Sequence, residues 1–132
     1  METQRQFSTE KLEAANVIDY ISEIIEENGV PMDTAVKINI CTDEIVSNIL
    51  NHSNAEYIDV KLNINQQDAT VTISFTDNGT PFNPLTDAAT PDITIPLEDR
   101  EEGGLGVFIV KKMMKNVTYR HQDNCNIFTI GT

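Results

Sequence analysis

The stretch that decides the fold runs from residue 57 to residue 75 and reads YIDVKLNINQQDATVTISF. Apolar residues alternate with polar ones on both sides of a polar turn, Gln66-Gln67-Asp68. Such alternation is typical of strands that bury one face. The stretch therefore predicts a β-hairpin that starts near Tyr57 and ends near Phe75.

Two helices are predicted before this hairpin. Residues 10–28 carry apolar side chains with the helical period of 3.6, and Ser8 or Thr9 is expected to cap their first turn. Residues 33–51 have a second apolar stripe of the same period. Residues 3–7 are expected to add an edge strand.

After the hairpin, residues 80–104 follow neither a helical nor a strand period and hold Pro81, Pro84, Pro91 and Pro96. A long irregular stretch inside a small domain is typical of a functional loop, and we interpret it as a lid. A short apolar helix is expected next, and then two strands over residues 117–122 and 126–130. The grouping of helices and strands predicts a single α+β domain over residues 1–132. We expect a two-layer sandwich, with three helices on one face of a mixed, mostly antiparallel sheet.

Composition excludes several classes of function. The chain has 132 residues and a net charge of −12, which disfavours nucleic acid and anionic membranes as partners. No apolar run approaches the length of a membrane span, and the first residues lack the apolar core of a signal peptide. We therefore expect a cytoplasmic protein, in which Cys41 and Cys125 stay reduced.

The first candidate motif lies on the second predicted helix. Glu44, Asn48 and Asn51 are spaced i, i+4 and i+7, so they project from one side of the helix. An amide oxygen of Asn48 suits Mg²⁺, which binds oxygen ligands together with substrate phosphates. Glu44, one turn earlier, can accept a proton from an attacking hydroxyl or water. A merely solvated polar helix face is the alternative for this segment taken alone.

The second candidate motif follows the predicted hairpin and reads Thr76-Asp77-Asn78-Gly79-Thr80-Pro81-Phe82. Asn-Gly is common in ordinary turns. The functional interpretation is that Asp77 accepts the exocyclic amine of adenine. Gly79 would let the base approach the backbone.

The third candidate motif is Gly103-Gly104-Leu105-Gly106-Val107, which opens the third predicted helix. Glycines there leave backbone N–H groups and the positive end of the helix dipole available to phosphates. No Lys and Ser/Thr pair follows the last glycine, so the segment is not a Walker loop. A flexible loop before a core helix is the alternative.

In this order and spacing, the three motifs resemble the nucleotide-binding boxes of the ATPase superfamily of gyrase, histidine kinases and a heat-shock chaperone. One branch of this superfamily is indicated by the sequence of the lid, which reads Pro81-Phe82-Asn83-Pro84 and later Pro96-Leu97-Glu98-Asp99-Arg100. The chain is similar to the bacterial anti-sigma factor serine/threonine kinases, from about residue 10 to residue 130. The resemblance implies a fold of the Bergerat type.

The resemblance also implies roles for individual residues. Glu44 matches the general base, Asn48 the Mg²⁺ ligand and Asp77 the adenine-binding carboxylate. Gly79, Phe82 and Arg100 are expected beside the nucleotide, Arg100 at the γ-phosphate, and the segment from Gly103 to Val107 at the phosphates. The chain departs from the family in its last hairpin, Asn124-Cys125-Asn126-Ile127-Phe128-Thr129, which lacks the usual glycine and leaves the threonine contact with adenine open.

The function implied by the resemblance is transfer of phosphate from Mg-ATP to a serine or threonine of a partner protein. It further implies an anti-anti-sigma substrate of the STAS type, a sigma factor held inactive, and a homodimer. Two alternatives remain open from the residues: a module that binds ATP or ADP without phosphotransfer, and an ATPase that uses water as the acceptor. His52 is expected to end the second helix near the site, where it either contacts the ligand or only terminates the helix.

Overall fold

A computed structural model describes residues 1–85 and 104–132, with the side chains of residues 104–106 left aside. Its elements follow the chain in this order: strand β1, Glu2–Ser8; helix α1, Ala14–Glu27; helix α2, Met32–His52; strand β2, Tyr57–Asn65; strand β3, Thr70–Asp77; helix α3, Gly104–Met113; strand β4, Asn116–Gln122; and strand β5, Cys125–Gly131.

The described strands form one sheet in the order β1-β2-β3-β5-β4, and each neighbouring pair is antiparallel. Strand β3 is therefore the central strand, and the predicted hairpin of β2 and β3 is confirmed. Strand β1 pairs along its whole length with β2, and the predicted edge strand is confirmed.

One face of the sheet is buried beneath the helices. Ile58, Val60 and Leu62 alternate inward from β2 and are fully buried, together with Ile73 and Phe75 of β3. The opposite face is polar, and Ser74 shares a hydrogen bond with Thr129 there, 2.9 Å between their hydroxyl oxygens. The predicted two-layer sandwich of the α+β class is confirmed.

Helix α1 packs on the sheet through Val17, Ile21 and Ile25, which are all buried. Burying an aliphatic side chain of this size contributes about 1.5–3 kcal/mol. Intrinsic helix propensities differ by only about 0.7 kcal/mol per residue among ordinary residues. Packing against the sheet therefore holds α1 in place more than propensity does.

The predicted start of the first helix is wrong. Lys11 has a positive φ of 61° and Glu13 is extended, so the helix begins at Ala14. Thr9 does not cap it, because its hydroxyl donates to the Ala55 carbonyl oxygen at 2.7 Å. The Asn16 side chain instead accepts a hydrogen bond from the Glu13 backbone at 3.0 Å and closes the first turn.

Neither cysteine forms a disulfide, with Cys41 buried and Cys125 half-buried, in agreement with the prediction of reduced thiols. In the described residues, no helix combines the length and apolar character that a bilayer crossing needs.

Candidate functional site

A small cavity opens where the last turns of α2 meet the first turns of α3 and the neighbouring ends of β3 and β5. Its polar lining consists of Asn48, Ser53, Asp77, Tyr119 and Asn126, and the remaining described walls are apolar. The cavity has a volume of about 30 Å³, room for about two water molecules. A purine is larger than this volume, so we expect a wall of the cavity to move when a nucleotide enters.

Asp77, the last residue of β3, is the buried anion of this cavity, with 2% of its surface exposed. Its Oδ1 accepts a hydrogen bond from the Gly79 backbone at 2.9 Å and another from Asn126 Nδ2 at 3.0 Å. In the described residues both of these hydrogen bonds end on Oδ1, so Oδ2 can still accept a hydrogen bond. A buried carboxylate with one oxygen to spare fits the exocyclic amine of adenine.

Asn126 on β5 lines the cavity and was not among the residues predicted for the site. Its Oδ1 accepts from the Tyr119 hydroxyl and, at 3.2 Å, from the Phe82 backbone. Its Nδ2 donates to Asp77 and, at 2.9 Å, to the Thr80 carbonyl oxygen. These four bonds use the whole capacity of a carboxamide. Asn126 therefore positions its neighbours and has nothing left for a ligand.

One sequence signal points to Asn126, which alternates along β5 with Phe128 and Ile130, both buried on the inward side. Its position directly opposite Asp77 follows only from the antiparallel register of the folded sheet. Thr129 is on the opposite face, bonded to Ser74, and so does not take the role of the adenine-contacting threonine that was left open.

Gly79 is needed for the approach of the chain's own backbone. A Cβ at this position would lie 2.1 Å from the carbonyl oxygen of Ser53, the residue that caps α2. The adjacent Thr80 backbone donates to the same oxygen. The space beside Gly79 is thus filled by Ser53, and its predicted contact with a base is untested.

The three polar residues predicted on α2 differ in their relation to the cavity. Asn48 lines it. Glu44 lies one turn earlier and is half-buried, whereas Asn51 is exposed and does not line it. Burial raises the pKa of the Glu44 carboxyl above its ordinary value, and the adjacent charge of Asp43 raises it further. A carboxylate with a raised pKa is a better proton acceptor near neutral pH.

Phe82, predicted near the base, forms part of the cavity wall. Its ring stacks on that of His52, with 5.2 Å between the ring centroids and 24° between the planes. His52 is the last residue of α2, as predicted, and it holds the loop after β3 against the end of that helix. Phe82 and Pro84 are the walls that belong to a loop, so we expect them to move first when a ligand enters.

Helix α3 begins at Gly104, so the glycine-rich segment does open a helix, and Gly106 lies in its first turn. Val107 is buried and lines the cavity. The N–H groups at the start of α3 therefore lie near the cavity. Arg100, Gly103 and the side chain of Leu105 lie outside the described part of the chain.

Within residues 1–85 and 107–132, no cluster of three or more histidine, cysteine or acidic side chains could hold a metal ion. Magnesium that binds with nucleotide phosphates needs only one or two protein oxygens. Asn48, which lines the cavity, has such an amide oxygen, and its role as a magnesium ligand stays a prediction.

The α+β sandwich thus places a buried carboxylate, a helical carboxamide and the start of a glycine-opened helix around one cleft, and these are groups that suit a nucleotide. The chain belongs to the histidine kinase-like ATPase domain family, whose model matches residues 7–131. The predicted relationship is thereby confirmed at the level of the family.

Individual relatives agree with this assignment. The serine/threonine-protein kinase BtrW of Bordetella bronchiseptica is 27% identical over 95 residues, which is 70% of this chain and 66% of that protein. The crystal structure of the RsbU and RsbW domains of Rv1364c from Mycobacterium tuberculosis has a TM-score of 0.70 at 16% identity. That match covers 99% of this chain and 32% of the other.

A more distant structural match is the blue-light activated histidine kinase EL346 of Erythrobacter litoralis. The TM-score is 0.57 at 15% identity, with 91% of this chain and 41% of the other covered. At such identities the two structural matches establish the fold alone. This chain spans less than two thirds of the length of each of these relatives.

Proposed function

We propose that the domain binds Mg-ATP in the cleft and transfers the γ-phosphate to a serine or threonine hydroxyl of a partner protein. The observation that carries this proposal is the position of Glu44, one helical turn before the cavity-lining Asn48. Burial and Asp43 raise the pKa of its carboxyl. Holding a nucleotide requires no base, whereas activation of an acceptor hydroxyl does.

Three groups of this chain would hold the nucleotide. Asp77 Oδ2 accepts the exocyclic amine of adenine, while Asn126 and the Gly79 backbone hold Oδ1. The backbone N–H groups at the start of α3 bind phosphate oxygens, with Gly104 and Gly106 in that first turn. The Asn48 amide oxygen ligates Mg²⁺, which neutralises charge on the phosphates.

Glu44 would accept the proton of the attacking hydroxyl. As the oxygen–phosphorus bond to the acceptor forms, the bond from the γ-phosphorus to the bridging oxygen breaks and ADP leaves. The chain supplies position and charge and forms no covalent intermediate with the phosphoryl group. Arg100 and Phe82 complete the proposed nucleotide contacts, at the γ-phosphate and beside the base.

The partners are inferred from the resemblance to anti-sigma factor kinases and from the similarity to BtrW, which is named a serine/threonine-protein kinase. We propose an anti-anti-sigma protein of the STAS type as the phosphate acceptor and a sigma factor as the protein held inactive. We also propose that the protein forms a homodimer and acts in the cytoplasm.

The proposal is tested by incubating the protein with γ-labelled ATP, Mg²⁺ and a candidate acceptor, beside the variant Glu44→Gln. Label on an acceptor serine with wild type, and none with Glu44→Gln, is the expected result. Free labelled phosphate without acceptor label would identify an ATPase instead. Bound nucleotide with neither product would identify a binding module.

A further inference from the structure

Three large apolar side chains are exposed along one side of α2. Met32 is 80% exposed, Val36 49% and Ile40 38%. They are spaced i, i+4 and i+8, so they form a continuous row, which we call the apolar track. In the described residues, Met1 and Phe108 are the other large hydrophobic side chains with comparable exposure.

The apolar track leads directly to the proposed base. Continuing the same step of four residues along α2 reaches Glu44 and then Asn48. Each step advances about 6 Å along a helix. Ile40 therefore lies about 6 Å, and Val36 about 12 Å, from Glu44 along the helix axis.

The surface around the apolar track is acidic. Helix α1, which packs beside α2 through a hydrogen bond of 3.0 Å between Ser22 and Asn39, has no Lys or Arg. Its exposed acidic side chains are Asp19, Glu23, Glu26 and Glu27. Two of them, Asp19 and Glu23, also line a surface pocket that contains Arg5 and Lys11. On α2, Asp33 and Asp43 are also exposed, with Lys37 as the one lysine of that helix.

These charges identify the kind of occupant. A second copy of the chain would place its own acidic helices against this face, because a two-fold interface uses the same patch on both molecules. Contact between two copies through this face would therefore bring acidic side chains against acidic side chains, which is repulsive. A protein segment with lysine or arginine around an apolar side chain is complementary to the face.

We propose that the apolar track, Met32, Val36 and Ile40, docks the segment of the partner protein that carries the phosphate-accepting hydroxyl. The inference rests on the proposed function, since Glu44 marks where the hydroxyl must arrive. An extended chain advances about 3.3 Å per residue, so a distance of 6–12 Å corresponds to about two to four residues. The acceptor segment thus has a large apolar residue two to four positions from its serine or threonine, with basic residues nearby.

The test uses the full chain with Mg-ATP and a set of fluorescent peptides. Each peptide has one serine in an arginine-flanked alanine–glycine background, and a single leucine is moved from six residues before the serine to six after it. Binding is followed by fluorescence anisotropy and phosphotransfer by label on the peptide. The variants are Val36→Gln and Ile40→Gln, with Val36→Met and Ile40→Leu as controls that keep the apolar surface.

We expect binding to strengthen about five- to tenfold when leucine lies two to four residues from the serine, as burial of one apolar side chain allows. Val36→Gln and Ile40→Gln abolish this gain, and the two apolar controls retain it. Far-ultraviolet circular dichroism and ATP affinity stay unchanged in all four variants, because the substituted side chains are exposed and lie outside the cavity.

The two readouts separate this inference from the proposed function. If the rate of phosphotransfer depends neither on the leucine position nor on the substitutions Val36→Gln and Ile40→Gln, the docking inference is overturned and the kinase proposal stands. Leucine-dependent binding through Val36 and Ile40 without phosphotransfer supports docking and contradicts the kinase. Absence of both overturns both. A dimer that becomes monomeric with Val36→Gln in sedimentation also overturns docking, since the face would then join copies of the chain.

Discussion

Asn126 Nδ2 donates a hydrogen bond of 3.0 Å to Asp77 Oδ1, and both residues are almost fully buried. The same carboxamide also binds Thr80, Phe82 and Tyr119. One side chain thus connects the proposed adenine carboxylate to the first residues of the proposed lid. The orientation of Asp77 and the position of that loop are therefore coupled through Asn126.

Removing the Asn126 side chain should damage both stability and nucleotide binding. Asn126→Ala removes four hydrogen bonds, one of them to the buried Asp77, and each bond contributes about 0.5–1.5 kcal/mol. We expect the free energy of unfolding to fall by about 3 kcal/mol or more in urea titrations. Ser74→Ala, which removes one hydroxyl pair on the outer face, is the control and should cost about 1 kcal/mol. Equal losses in the two variants would contradict the coupling role.

Asp77→Asn should weaken ATP binding by about 1–3 kcal/mol, the cost of an unsatisfied buried polar group. The substitution replaces the acceptor for the adenine amine with a mixed donor and acceptor. Calorimetric titration with Mg-ATP measures the change. Asp59→Asn is the matched control. Asp59 is a half-buried aspartate on β2, and it lies on the face of the sheet opposite to the buried Ile58 and Val60. If ATP affinity is unchanged in Asp77→Asn, adenine binds elsewhere.

Glu44→Gln should retain nucleotide affinity and lose phosphotransfer. Since the pKa of Glu44 is raised, the acid limb of the rate profile should lie above the ordinary glutamate value of about 4.3. The rate declines as pH falls through that pKa, because the protonated carboxyl cannot accept a proton. Asp43→Asn removes a neighbouring negative charge and should shift the limb to lower pH. A limb that does not move, or a Glu44→Gln variant that still transfers phosphate, removes Glu44 as the base.

Asn48→Ala should abolish the Mg²⁺ dependence of nucleotide binding. The amide oxygen of Asn48 is the proposed protein ligand for the ion, so its loss leaves Mg²⁺ held by phosphates and water alone. Calorimetry with and without EDTA measures the difference. Asn51→Ala, one turn further along α2 but exposed and outside the cavity lining, should have a smaller effect. Equal effects would argue against Asn48 as the ligand.

Gly79→Ala should destabilise the fold strongly. The added Cβ would meet the Ser53 carbonyl oxygen at 2.1 Å, and backbone atoms cannot yield as a flexible side chain can. Overpacking of this kind costs about 1–3 kcal/mol and is expected at the upper end here. Gly29→Ala, with open space around it and a φ of 71°, should cost about 1 kcal/mol from backbone strain alone. Thermal unfolding compares the two, and a milder Gly79 variant would contradict the contact.

The fold followed from local patterns. Alternation on both sides of the turn between Tyr57 and Phe75 predicted the hairpin of β2 and β3, because one buried face imposes a period of two. The start of α1 did not follow, because Thr9 is held by Ala55, 46 residues away. A capping residue chosen from its neighbours in sequence takes no account of such a long-range bond.

The candidate site was predictable where one element supplies the geometry. The helical period predicted that Glu44 and Asn48 lie on one side of the helix. The end of a strand pattern predicted that Asp77 lies where that strand stops. Asn126 was not predicted because its role depends on register with Asp77, 49 residues earlier in the chain. The close approach of Ser53 to Gly79 was not predicted either, because the two residues meet only in the folded structure.

The most direct test of the account is a crystal structure with Mg²⁺ and a non-hydrolysable ATP analogue. The account predicts the exocyclic amine of adenine within hydrogen-bond distance of Asp77 Oδ2, Asn48 on the ion, and Phe82 displaced from the cavity. A nucleotide bound away from Asp77, or a cavity that stays closed at saturating analogue, would contradict it.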